Sequence, residues 1–194
     1  MSRPAETKLT VPEAEFVTGM LARDIDREID AKVIRSSGPK KSRALSVDTL
    51  VYIKAVAPFR TELAPTFRKR MSNAVASAVA KGERVAKIDT FQVEIKALRD
   101  EILGEYADLE RLRKTFIESK PAILGGEYIL KGTRIPVRIV ADLIKNGATK
   151  RDIRSELELT TEQINAAVTF DRVTPRRGRP PIKRRKVTKH VSAD

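Results

Sequence analysis

Apolar residues recur along this chain at two spacings, and the switches between them mark out its elements. Thr10-Val-Pro-Glu13 opens the first, with a hydroxyl and a carboxylate three residues apart, the spacing at which each can satisfy a free N–H at a helix start. The pattern predicts a helix over 11–18 stopped by Gly19, and a second over 22–31 with Ile25 and Ile29 one turn apart. Val33-Ile34 and Ala44-Leu45 read as short strands around the polar loop 35–43. Ser46 then caps a third helix to about Val56 that carries Leu50, Val51, Tyr52 and Ile53. Two short helices, a basic hairpin and a third helix have the outline of a winged helix-turn-helix.

Past Pro58 and Pro65 a helix is expected over 66–81, ended by Gly82, and the alternation of Val85, Ile88, Phe91, Val93 and Ile95 suggests one or two strands. The strongest helical pattern follows over 97–117. Leu98, Ile102, Leu109, Leu112 and Phe116 form a heptad-like stripe with Glu105 at the missed position, too short to specify a coiled coil, so the helix packs on a neighbour or on a dimer mate. Gly125-Gly126 and Gly132 then bracket a short strand or hairpin at 127–135. Pro136 starts a helix closed by Gly147, and Thr149-Lys-Arg-Asp152 and Thr160-Thr-Glu-Gln163 cap two more, again with helix-turn-helix dimensions. The expected architecture is mainly α. A winged helix-turn-helix occupies 1–57 and a helical connector or dimerisation region 58–118. A small helical domain with a short β hairpin spans 119–170, and a disordered basic tail 171–194.

Charge changes this picture most. The net charge is +13, and nine basic residues against Asp171 and Asp194 place +7 of it in the last 24 residues. That concentration points to a polyanionic partner. Cys is absent and the one His is His190, which removes disulfides, thiolate or imidazole metal clusters and Cys- or His-based nucleophilic catalysis. The acids are scattered, and no Lys-Ser/Thr follows the glycines at phosphate-loop spacing. No catalytic residue, metal site or cofactor is therefore expected, and the chain reads as a non-enzyme. With no signal peptide and no long apolar run, a cytoplasmic protein without a membrane partner is expected.

Candidate DNA contacts fall in two places. The second helix offers Arg23 and Arg27, opposed by Asp24, Asp26, Glu28 and Asp30, four carboxylates that repel phosphates. The loop side offers Lys32, Arg35, Lys40, Lys41 and Arg43 with no acid among them. In the tail, Arg176 precedes Arg177-Gly178-Arg179-Pro180, where Gly lets the backbone sit deep in a narrow A·T-rich minor groove flanked by two arginines. Lys183, Arg184, Arg185 and Lys186 can then take phosphates. This core resembles an AT-hook, and residues 1–57 resemble, more loosely, the MerR-type and excisionase-type winged helix-turn-helix.

The stretch 121–137, Pro-Ala-Ile-Leu-Gly-Gly-Glu-Tyr-Ile-Leu-Lys-Gly-Thr-Arg-Ile-Pro-Val, resembles the small bacterial family catalogued as domain of unknown function four-three-three, through Gly125, Gly126, Gly132, Thr133, Arg134 and Pro136. The resemblance continues to about residue 170. It implies a VapB-type antitoxin, often dimeric, paired with a PIN-like ribonuclease toxin. Arg134 invites a phosphate-binding role, against the plainer expectation that it pairs with a local carboxylate and fixes the turn. The expected function is that of an antitoxin that neutralises such a toxin and represses its own promoter, as a homodimer on an A·T-rich operator. The basic tail serves either DNA or the acidic metal site of the toxin. The alternative is a stand-alone DNA-binding regulator, or an architectural or excisionase-like factor, with no toxin partner.

Overall fold

The structure, a computed structural model, describes residues 7–174, except for the side chain of Lys41. Those residues form a mainly helical fold with three two-stranded antiparallel sheets. The first strand, β1 (Lys8–Thr10), leads into α1 (Val11–Thr18). There the Glu13 carboxylate accepts from both the Thr10 N–H, at 2.7 Å, and the Thr10 hydroxyl, at 2.9 Å. Gly19, at φ 76°, ends α1 in a left-handed cap and turns the chain into α2 (Ala22–Asp30).

The expected hairpin after α2 does not form. Val33 and Ile34 are both buried, as plugs of the core, and successive strand residues would point to opposite faces. The strand β2 (Ala44–Ser46) pairs instead with β1, Leu45 against Leu9, so the segment 35–43 is a loop closed by a bridge between Ser37 and Ala44. Then come α3 (Val47–Val56), capped by the Ser46 hydroxyl, and α4 (Pro65–Ala80). The hairpin of β3 (Val85–Ile88) and β4 (Phe91–Glu94) matches the predicted alternation.

The long helix α5 (Ile95–Phe116) spends its apolar stripe inside the molecule: Ile102 and Leu109 are fully buried. Glu105, the gap in that stripe, accepts from Lys54 of α3 at 3.0 Å, and the same ammonium donates to the Val17 carbonyl of α1 at 2.9 Å. Lys54 of α3 therefore ties α1 and α5 together, with Glu105 as one of its acceptors. A single core runs from Leu9 to Ile102, so the expected boundary near residue 57 falls inside a continuous core and 58–102 is no mere connector.

The second core belongs to the C-terminal unit. Here β5 (Ile117–Ser119) pairs with β6 (Tyr128–Leu130), followed by α6 (Val137–Lys145), α7 (Lys150–Leu157) and α8 (Thr161–Val173). Thr149 and Thr160 cap α7 and α8, as their spacing predicts. The hairpin partner of β6 is β5, with only an isolated bridge between Ile129 and Pro136 on the other side. Helix α8 is the hub: Ile164, Ala166, Ala167, Phe170 and Val173 are buried, and it packs on α6, α7, α5 and α1. Among the described residues no helix is long and apolar enough to cross a membrane.

Candidate nucleic-acid interface

Every other residue of α2 from Asp24 to Asp30 is an acid, which should make it a poor neighbour for phosphate. The structure disposes of each carboxylate in turn. Glu28 lies at the Ile25 face and is fully buried; Arg60 Nε reaches it at 3.0 Å, Arg68 Nε at 3.1 Å, and the Tyr52 hydroxyl donates to it at 3.2 Å. Burial, then the neighbouring Glu28 charge, pushes the Tyr52 hydroxyl far above the usual tyrosine range, so it remains a donor. Asp24 pairs with Arg60 at 3.3 Å and with Arg27 at 3.0 Å. Asp26 and Asp30 share Arg43, whose guanidinium spans them at 2.6 and 2.5 Å. The hydrogen bond from Arg43, with Lys40 adding to the positive field, holds the Asp30 carboxyl below the ordinary aspartate range.

Asp26 and Asp30 stay about half exposed beside Arg43, and the outward cations lie farther round the helix and along the chain that follows. Arg23 and Arg27, one helical turn apart, are exposed on the face opposite Ile25. Lys32, Arg35 and Lys40 are exposed on the segment that follows. The side chains of Arg23, Lys32 and Arg35 have no hydrogen bond or ion pair among the described residues. The loop that carries these cations is shaped by Gly38. At φ 82° it sits where L side chains are strained, and a Cβ there would lie 2.7 Å from the Ser42 carbonyl oxygen. The short helical turn Lys40–Ser42 then brings the chain back to Arg43.

The predicted contacts therefore divide. Arg23, Arg27, Lys32, Arg35 and Lys40 share one region, while Arg43, grouped with them from the sequence, is only 11% exposed in its side chain and serves as the counter-ion of α2. The side chain of Lys41, and Arg176, Arg177, Gly178, Arg179, Lys183, Arg184, Arg185 and Lys186, lie outside the described residues. Sequence reasoning missed Arg60 and Arg68, which make the whole arrangement tolerable. The available signal was Glu28 itself, an acid one turn from Ile25 on the apolar face, which demands a cation from elsewhere in the fold.

The C-terminal unit shows what its glycine-rich stretch is for. Gly125 and Gly126, at φ 65° and 83°, turn the chain between β5 and β6, and the Ser119 hydroxyl donates to the Gly126 carbonyl at 2.7 Å. Gly132, at φ 79°, starts a second turn, in which the Thr133 hydroxyl donates to the Leu130 carbonyl at 2.8 Å and accepts from the Ile135 N–H at 3.0 Å. Pro136 caps α6. Arg134 is exposed, and its side chain has no ion pair or hydrogen bond among the described residues, so the expected local carboxylate partner is not there.

Between the two cores lies a cleft of about 450 Å³. Arg113 crosses it, reaching Glu13 and Glu110, each at 2.7 Å, with its guanidinium 5.7 Å from the Phe170 ring centre. Its charged walls pair with one another through Arg113, while Arg113 Nε and Thr174 Oγ1 are buried there without a hydrogen-bond partner among the described residues. The comparisons with known proteins reach only the second unit. No curated protein and no solved structure matches the chain. Residues 117–170, from the first residue of β5 into the last turn of α8, match the family model described as Protein of unknown function (DUF433).

Proposed function

We propose that this chain is a non-enzymatic, DNA-binding regulator in which α1 and α2 act as a helix-turn-helix and α2 is the recognition helix. One observation carries the reading. Each of the four carboxylates of α2 is ion-paired, by Arg60, Arg68 and Arg43 from outside the helix and by Arg27 within it, while Arg23 and Arg27 face outward beside Lys32, Arg35 and Lys40. Two arginines one turn apart on a projecting helix suit the guanine edges of a major groove, while the loop cations suit flanking phosphates and act as the wing. The tail 175–194 supplies a further, A·T-directed minor-groove contact.

On this reading, substituting both Arg23 and Arg27 by Ala lowers affinity for the chain's own promoter about 30-fold or more, since each of the two bidentate base contacts contributes about 1–3 kcal/mol. Fluorescence anisotropy reads this directly. Affinity within two-fold of wild type removes α2 as the reader.

The biological setting proposed is that of a type II antitoxin, a homodimer that represses its own promoter and neutralises a PIN-like ribonuclease. The resemblance at 121–170 supports that part, and it has a separate test. The untagged product of the adjacent gene is co-expressed with this chain and the complex is isolated. A stable complex in which ribonuclease activity is suppressed is expected. A chain that binds its DNA but retains no neighbour product is instead the stand-alone regulator.

A further inference from the structure

A second basic concavity lies away from α2. Between the C-terminal half of α4 and β3 runs a groove of about 640 Å³ whose charged walls are Lys81, Glu83, Arg84 and Lys87, with Ser77 beside them. Lys81 is 4.0 Å from Glu83, so these two largely cancel. A cation at Lys81 also suits the partial negative charge at the end of α4, which explains its presence there without a ligand. Arg84 and Lys87 have no such explanation. Both are exposed, and neither side chain has an ion pair or hydrogen bond among the described residues. Lys87 stands on the outward face of β3, between the buried Ala86 and Ile88, so the strand register holds it at the groove.

The position relative to α2 is informative. Arg68, which anchors α2 through Glu28, lies on one flank of α4. At about 100° per residue, Ser77 and Lys81 lie roughly 140–180° round the same helix from Arg68, and Lys81 is about 20 Å farther along it. The groove is thus on the opposite flank from α2 and cannot line the stretch of duplex that α2 reads.

We propose that this groove is a second contact to the phosphate backbone, holding a flank of the duplex that bends round this unit beyond the segment read by α2. The proposal rests on the DNA-binding reading above. Arg84 and Lys87 each neutralise a phosphate, and the Ser77 hydroxyl is available as a neutral donor. Because these are backbone contacts, they add affinity without sequence preference.

The test is the salt dependence of binding for full-length protein carrying K81A/R84A/K87A, measured on a 40-base-pair and a 12-base-pair duplex with the same promoter sequence at their centre. All three positions are exposed, and circular dichroism confirms the fold. The expected result is a slope of log K against log salt reduced by about 2 on the long duplex, roughly 0.9 for each phosphate no longer neutralised, with no change on the short one. Discrimination between promoter and scrambled duplex stays as in wild type. A charge-matched control, K96A/K114A/K145A, leaves both slopes alone. Unchanged slopes on both duplexes overturn the proposal, as does an equal fall on both, which reports only net charge. In those cases the R23A/R27A result stands unaffected. A wild-type chain that binds neither duplex overturns this proposal and the DNA-binding reading together.

Discussion

Two pairs of short helices in this chain look alike in sequence and end in opposite situations. The pair α1–α2 and the pair α7–α8 are each joined by a three-residue turn, and each second helix carries an apolar face. In the first pair the second helix is seated through Ile25 and Glu28 and tied at its flanks by Arg60 and Arg43, and its Arg23–Arg27 face remains outward. In the second, α8 is enclosed by α6, α7, α5 and α1, and two successive alanines, Ala166 and Ala167, let those neighbours approach. Helix spacing alone does not make a helix available to a ligand. What decides is how many of its faces the rest of the fold has already taken, and small residues on adjacent faces are the sign that more than one is gone.

The most severe effect is expected at α8. Ala167 is fully buried, so Ala167→Arg combines overpacking with an unpaired buried charge and costs about 5 kcal/mol or more. Chemical denaturation should show it unfolded or nearly so, whereas R23A changes stability by less than about 0.5 kcal/mol. A stable A167R protein would mean that α8 is not enclosed.

The anchoring of α2 should be nearly as sensitive. Glu28→Ala leaves Arg68 and part of Arg60 uncompensated in the interior and is expected to cost about 3–5 kcal/mol. Its companion is an interface variant. Arg43→Ala should cost little stability but uncover Asp26 and Asp30, weakening DNA binding, and adding D26N/D30N should restore it. Failure of that rescue would show that Arg43 contacts DNA itself.

Smaller effects separate the two helix pairs further. Gly38→Ala forces a Cβ against the Ser42 carbonyl at a positive φ and should cost about 1–2 kcal/mol, with weaker DNA binding through the loop. Thr160→Ala removes the α8 cap and should cost about 1 kcal/mol with no effect on DNA. The smallest effect is a titration. Asp30 is held below its ordinary value by Arg43, so its contribution is present above the aspartate range and lost as pH falls through the lowered value. In R43A, NMR should find Asp30 titrating higher than in the wild type, closer to the ordinary aspartate value.

Local signals in the sequence were faithful. Thr149 and Thr160 start helices where their spacing says, Gly19 stops one, and the alternation at 85–93 is a real hairpin. Non-local pairing was not legible. Val33-Ile34 looked like a strand because two β-branched residues in a row fit one, yet both plug the core, and β2 reaches back 36 residues to β1, which no local pattern announces. The heptad stripe of α5 was visible, but not that α3 and α8 would cover it. The candidate interface was half legible. Arg23 and Arg27 could be named, while the carboxylates beside them argued against their use. Arg60 and Arg68, 32 and 40 residues from Glu28, resolve that conflict only in three dimensions.

Whether α2 faces DNA and the α7–α8 pair does not is tested most directly with two charge-reversal variants on one promoter duplex. Their affinities are measured side by side: R23E/R27E on α2, and R151E/R154E on the exposed surface of α7. A loss of about 100-fold or more is predicted for the first, since each reversal removes an attraction and adds a repulsion, and a change within about three-fold for the second. The reverse order, or equal losses, would contradict α2 as the DNA-facing helix.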